Sequence, residues 1–229
     1  MKPSVLILDM SGACHEEGLP QYLEESGVGF ELLSLSSLEG TSCYCDPDSE
    51  QRILDSLPEG ELPLLRWIDT GDYHYLSCLL AARETGPFHL LLADHHPDDQ
   101  EPALGSVLSC GGWVAELRRR CPLLQDIVSV GPESEELPLE WLESHKGERL
   151  YLSLDKDVMD GRWARTDWSQ GSMSLEEVKR LIGLAGEYCE LVAIDICGGI
   201  TLAKGASADD LALNLQTDRE LIETIYGRH

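Results

Sequence analysis

The sequence predicts an α/β fold built on a mostly parallel, doubly wound sheet, and three observations predict it. Short apolar runs alternate with helical patterns from one end of the chain to the other. Several of the runs are apolar at nearly every position, as strands covered on both faces are. The chain has 229 residues, enough for one large domain with a sizeable core and short for two. No internal repeat or low-complexity linker divides it, so residues 1–229 read as one domain.

In order, the runs Val5–Leu8, Phe30–Leu35, Leu64–Ile68, His89–Ala93, Ile127–Val130, Leu150–Leu154 and Leu191–Ile196 are the predicted strands. Between them, helical spacing marks Leu19–Glu25, Ser49–Leu57, Tyr75–Arg83, Trp113–Arg120, Leu175–Tyr188 and Asp209–Tyr226. The helix from Leu175 has the clearest start, because Ser174 with Glu177 three residues on forms a capping box ahead of an apolar 3.6-residue pattern. The Pro- and Gly-containing stretches 58–63 and 131–138 are loop-length connections.

Hydrophobic residues make up 42% of the chain, which excludes wholesale disorder. A formal charge of −25 repels phosphate backbones and anionic lipid, so neither nucleic acid nor a membrane surface is an expected partner. The same charge mildly favours a cationic small-molecule substrate. The start, MKPSVLILDMSG, lacks the apolar length and cleavage site of a signal peptide, and no window approaches 18 apolar residues. A cytoplasmic protein is expected, with its eight cysteines reduced. Cys43 and Cys45 have no second pair at zinc-finger spacing.

In an open α/β sheet, ligands bind beyond the carboxyl ends of the strands. Three strand ends here carry chemistry. Leu64–Ile68 is followed by Asp69-Thr70-Gly71-Asp72-Tyr73-His74, His89–Ala93 by Asp94-His95-His96-Pro97-Asp98, and Leu150–Leu154 by Asp155-Lys156-Asp157. If the strands continue extended, Asp94, His96 and Asp98 leave from one face, as do Asp155 and Asp157. Carboxylates so close raise one another's pKa, and a pair of divalent cations resolves the conflict. Oxygen and imidazole donors without thiolate suit Mn²⁺ ahead of Zn²⁺ or Fe²⁺.

Asp94-His95-His96-Pro97-Asp98 resembles the D-x-H-x-D metal loop of the arginase/agmatinase (ureohydrolase) superfamily. Ser153-Leu154-Asp155-Lys156-Asp157-Val158-Met159-Asp160 is similar to its S-F-D-[apolar]-D-x-x-D segment, and Gly71-Asp72-Tyr73-His74 to its G-G-D-H segment with one insertion. The resemblance covers residues 64–200. It implies a three-layer α/β/α fold and a hydrolase with two Mn²⁺ per chain, cleaving a C–N bond of a guanidino or amidino compound through a hydroxide between the metals. Carried over, His74, Asp94, Asp98 and Asp155 hold one metal, and His96, Asp94, Asp155 and Asp157 the other. Asp98 also accepts a hydrogen bond from the hydroxide, and Asp72 is the substitute should the insertion displace His74. Assembly into a homo-oligomer is left open.

Two departures bear on the substrate. Cys110 stands where the family keeps a proton-shuttling histidine, and it is read either as the relay or as a small buried filler. Asp195 matches the start of the family's late D-x-x-E pattern and is assigned to substrate binding, but Gly198 replaces the Glu that holds the guanidinium. Trp163 and Trp168 are candidate pocket walls, Trp168 being assigned to the substrate. Lys156 is expected to face away from the metals, so that Lys156→Val spares metal and activity; beneath the sheet it needs a carboxylate partner. His15, His89, His145 and His229 belong to no motif and are read as structural or solvated. Two competing functions remain: a DHH-type manganese phosphoesterase, whose signature Asp94-His95-His96-Pro97 also matches, and a metal-binding pseudoenzyme.

Overall fold

A computed structural model describes residues 4–101 and 107–227; His229 lies outside them. All seven predicted strands form one sheet. They are β1 (Val5–Asp9), β2 (Phe30–Ser34), β4 (Leu65–Ile68), β5 (Phe88–Ala93), β7 (Leu124–Val130), β8 (Arg149–Asp155) and β9 (Glu190–Cys197). The order is β2-β1-β4-β9-β8-β5-β7 and every pair is parallel. A two-residue antiparallel pair, β3 (Tyr44–Cys45) with β6 (Leu108–Ser109), lies apart from it. Runs that short carry no periodic signal, and the sequence reading missed both.

The predicted helices appear as α2 (Leu19–Ser26), α3 (Pro47–Ser56), α4 (Leu76–Ala81), α5 (Trp113–Arg120), α7 (Leu175–Tyr188) and α8 (Ala208–Tyr226). Ser174 and Glu177 form the reciprocal capping box. Two helices went unread, α1 (Ala13–Glu17) and α6 (Leu139–Ser144). Each is under two turns, too short for an apolar stripe to repeat. β7 also begins three residues earlier than predicted, because it is a half-exposed edge strand with a polar start.

Alternation sorts the strand side chains into two cores. Leu150, Leu152 and Leu154 of β8 join Leu91 and Ala93 of β5 beneath α2, α6, α7 and α8. Tyr151, Leu90 and Leu92 face the opposite layer of α3, α4 and α5. The result is a three-layer α/β/α sandwich. The chain leaves β1 for β2 on one side and returns to β4 on the other, and β5 likewise separates β7 from β8. Side chains beyond the carboxyl ends of the central strands therefore converge at a topological switch point.

Candidate metal centre

His74, at the end of the 3-10 turn Gly71–Tyr73 after β4, is 1% exposed. Its Nδ1 lies 3.1 Å from Asp94 Oδ2, 3.1 Å from Asp98 Oδ2 and 3.5 Å from Asp155 Oδ2. No N–H is aligned with any of them, so this buried nitrogen has no hydrogen-bond partner. The other side of the ring explains why. His74 Nε2 sits 2.9 Å from Ser153 Oγ, which donates its own proton to Asp195 Oδ1 at 2.5 Å. A hydroxyl has one proton, so Ser153 accepts from His74 Nε2–H, and Nδ1 is the nitrogen turned toward the three carboxylates.

A second convergence adjoins the first. His96 Nδ1 is 2.8 Å from Asp157 Oδ2 and 3.5 Å from Asp94 Oδ1, and its Nε2 is 2.9 Å from Ser169 Oγ. The two groups His74–Asp94–Asp98 and Asp94–His96–Asp157 thus share Asp94, while Asp155 reaches His74 and accepts from Cys197 Sγ at 2.9 Å.

The side chains meet by a different route from the one expected. β5 stops at Ala93 and β8 at Asp155, so neither motif continues extended. Instead His96 N–H donates to Asp94 Oδ1 at 2.6 Å, and Asp157 N–H to Asp155 Oδ1 at 2.9 Å, each closing a tight turn. Asp98 takes a left-handed backbone, φ 47°, that Asp tolerates better than most residues. Trp113 Nε1–H fixes its carboxylate at Oδ2, 2.8 Å away.

Electrostatics give the cluster a need for cations. Burial, then the charge of Asp94, pushes the Asp98 carboxyl up to about 6. Burial, then Asp155, pushes Asp157 up to about 8. Burial disfavours the His74 cation, but Cys197, Asp94 and Asp98 outweigh it and hold the pKa well above the usual imidazole range. Asp157 and Asp94 raise His96 to about 10. A buried ring nitrogen without a hydrogen-bond partner, facing clustered carboxylates, suits a divalent cation pair in chemistry and in donor set.

Native groups whose pKa values are raised bind more protons than the unfolded chain, so metal-free stability falls as pH rises from about 4 to 8, with His96 acting in the same direction above about 6.5. Asp94, held low, works only below about 4. Chelator-treated protein is accordingly expected to melt at least about 5 °C lower at pH 8 than at pH 5, a drop that manganese removes. Calorimetry at the two pH values checks this, and an equal or higher melting point at pH 8 in chelator contradicts it.

The cavity over the cluster has a volume of about 260 Å³ and is walled by Cys43, Tyr44, Gln100, Ser109, Cys110 and Trp168. Trp168 packs over Gly71, where a Cβ would come within 2.8 Å of its ring, and donates Nε1–H to Asp72 Oδ1 at 3.2 Å. Asp72 is held by Ser42 and Lys204 and joins neither imidazole–carboxylate group. Trp163 packs against the core and not the cavity. Cys110 is on the wall, its thiol pushed up to about 12 by burial and then by Cys43, Asp98 and Asp72.

Asp195 corrects an expectation. It is fully buried and accepts from Tyr151 OH at 2.6 Å as well as from Ser153, so it lies behind His74 and not against a substrate. Gly198 has φ 92°, and a Cβ there would stand 2.4 Å from Asp155 Oδ1 and 2.9 Å from Lys156 N. With this backbone no glutamate fits the position. The sequence reading missed Ser153, Cys197 and Trp113. The first two sit two residues from Asp155 and Asp195 on their strands, a spacing that places each pair on one face.

No family model matches the sequence. A protein of Thermotoga maritima described as uncharacterized is 27% identical over 208 residues, spanning 86% of this chain and 80% of that one. Arginase from Bacillus subtilis superimposes with a TM-score of 0.66 at 15% identity, covering 100% of this chain and 99% of that one. The agmatine ureohydrolase of Thermoplasma volcanium gives 0.67 at 13% identity, covering 100% and 92%. The chain is therefore an arginase-like α/β protein in its fold. No helix among the described residues is long and apolar enough to cross a membrane, and all eight cysteines are free.

Proposed function

We propose that the chain is a divergent member of the ureohydrolase superfamily, a binuclear manganese hydrolase cleaving a C–N bond of a guanidino or amidino compound. The observation that carries this is the pair of imidazole–carboxylate groups sharing Asp94 at the switch point of an arginase fold. His74, Asp94, Asp98 and Asp155 would hold one ion, and His96, Asp94, Asp155 and Asp157 the other. When bound, the pair supplies the Lewis acidity that makes water nucleophilic near neutral pH.

The chain's own residues do the rest. Ser153 and Asp195 hold His74 in the tautomer that presents Nδ1. Trp113 fixes Asp98 by one oxygen, and the other is the proposed acceptor of the attacking water's proton. With no side chain possible at Gly198, Trp168 takes over recognition, its ring offering the flat face on which a guanidinium or amidinium stacks. Cys110 keeps its proton at neutral pH and is the proposed donor to the departing amine. Cys110→Ser is then expected to lower kcat by about 10²-fold with metal content unchanged; an unchanged kcat would assign that proton to water.

The deciding experiment is a panel of guanidines, amidines, amides and phosphoesters offered to manganese-loaded protein. Release of urea or ammonia supports the reading, and turnover of phosphoesters alone would favour the DHH-type alternative. Against that alternative, Asp9 spends its carboxylate on the Gly12 N–H of its own turn and does not line the cavity. Metal binding without turnover of any class would mark a pseudoenzyme.

A further inference from the structure

His89 and His145, which the sequence assigned to no motif, meet at the opposite end of the sheet from the candidate centre. From the structure we infer a second metal site there, taking a borderline-soft divalent cation such as zinc on His89, His145 and Glu148.

His89 is the second residue of β5, and Asp94 follows the last, so roughly 16 Å of extended chain separates the two ends. Three neighbouring strands and one helix contribute. His89 comes from β5, His145 from the end of α6 and Glu148 from the residue before β8. Asp126 comes from β7, where the register with β5 shifts and sets Gln125 and Asp126 opposite His89. One ligand atom each from His89, His145 and Glu148 lies within 4.8 Å of the others.

The hydrogen bonds prepare these donors. His145 Nδ1 lies 2.8 Å from the Trp141 carbonyl, which can only accept, so the proton is on Nδ1 and Nε2 carries a lone pair. A ligating histidine anchored through its other nitrogen to a backbone carbonyl is the usual arrangement in metal sites. That Nε2 is 3.8 Å from Asp126 Oδ2, which Trp141 Nε1–H holds at 3.0 Å. The two imidazole centroids are 4.3 Å apart, and His145 stacks on Trp141 at 4.2 Å.

His89 supplies the second, independent observation. It is 8% exposed, its Nε2 is 2.5 Å from Glu148 Oε2, and its buried Nδ1 has no hydrogen-bond partner. Glu148 thus holds one nitrogen of this ring and leaves the other without a partner, which native interiors rarely permit. Two imidazoles and a carboxylate are a zinc ligand set, with one position left for water. Zinc here would tie the amino ends of β7, β5 and β8 to α6, stabilising the fold by mass action with the free ion.

The test loads wild type, His145→Gln and Glu148→Gln with manganese, dialyses all three against zinc and counts zinc per chain. Wild type is expected to hold one equivalent more than either variant, with zinc-edge anomalous density between His89 and His145. Its melting temperature should rise more with zinc concentration than either variant's does. Glu148 is an exposed side chain, so its replacement keeps the test independent of folding. Equal zinc in all three proteins, or anomalous density confined to the Asp94–Asp155 end, overturns the assignment.

Discussion

Asp155→Asn is expected to cut manganese from about two ions per chain to one or none, and hydrolysis by more than about 10³-fold. Both proposed ligand sets draw on Asp155, so neutralising it leaves two cations short of charge at once. The asparagine keeps the size of the side chain and an oxygen for the Asp157 N–H that Asp155 Oδ1 accepts at 2.9 Å. It also removes a buried carboxylate whose pKa is pushed up by burial and by Asp94. Metal-free Asp155→Asn should therefore melt no lower than metal-free wild type, which separates lost ligation from lost folding. Metal analysis with calorimetry decides it. Two ions retained in the variant would end the shared-ligand assignment, and no manganese in supplemented wild type would end the binuclear reading altogether.

Strands and candidate ligands were legible for one reason: parallel strands buried on both faces are apolar almost throughout, and polar residues at their carboxyl ends stand out. The rest depended on partners distant in sequence. Asp94, His96 and Asp98 do stand in one cluster, but a turn with Asp98 left-handed brings them there and not an extended strand. Asp195 looked like a pocket residue because its motif is one. Only the register Ser153↔Asp195 between β8 and β9 shows that it braces His74 from behind. Gly198 read as a lost glutamate, whereas the approach of Asp155 and Lys156 makes it a position without room for a side chain. His89 and His145 gave no local signal, because β5, α6 and β8 bring them together only in the fold.

Lys156→Met is expected to lower stability by about 3–5 kcal/mol, or about 10 °C in melting temperature for a chain of this size. The sequence asks for a carboxylate partner if this lysine lies beneath the sheet, and the structure supplies two. Lys156 does point away from the proposed metal ligands, but it is fully buried, with Nζ 2.8 Å from Asp218 Oδ1, 3.7 Å from Glu17 Oε2 and 5.7 Å from the Trp67 ring centroid. Burial works against its charge, and Asp218 and Glu17 outweigh it, holding the ammonium ionised. Glu17 has other donors, Ile200 N at 3.0 Å and Asn214 Nδ2 at 2.7 Å. Asp218, by contrast, is pushed up to about 7 by burial even with the lysine beside it. Without that lysine its carboxylate is buried and uncompensated, and its pKa rises further. A folded-state carboxylate pKa above the unfolded value favours the native state at low pH and loses that advantage as pH rises. The melting deficit of Lys156→Met should thus be larger at pH 8 than at pH 5. Adding Asp218→Asn should recover more than half of it at pH 8, since a neutral amide costs less to bury than an unpaired charge. A variant melting within about 2 °C of wild type at pH 8 would show that the buried triad adds nothing measurable to stability.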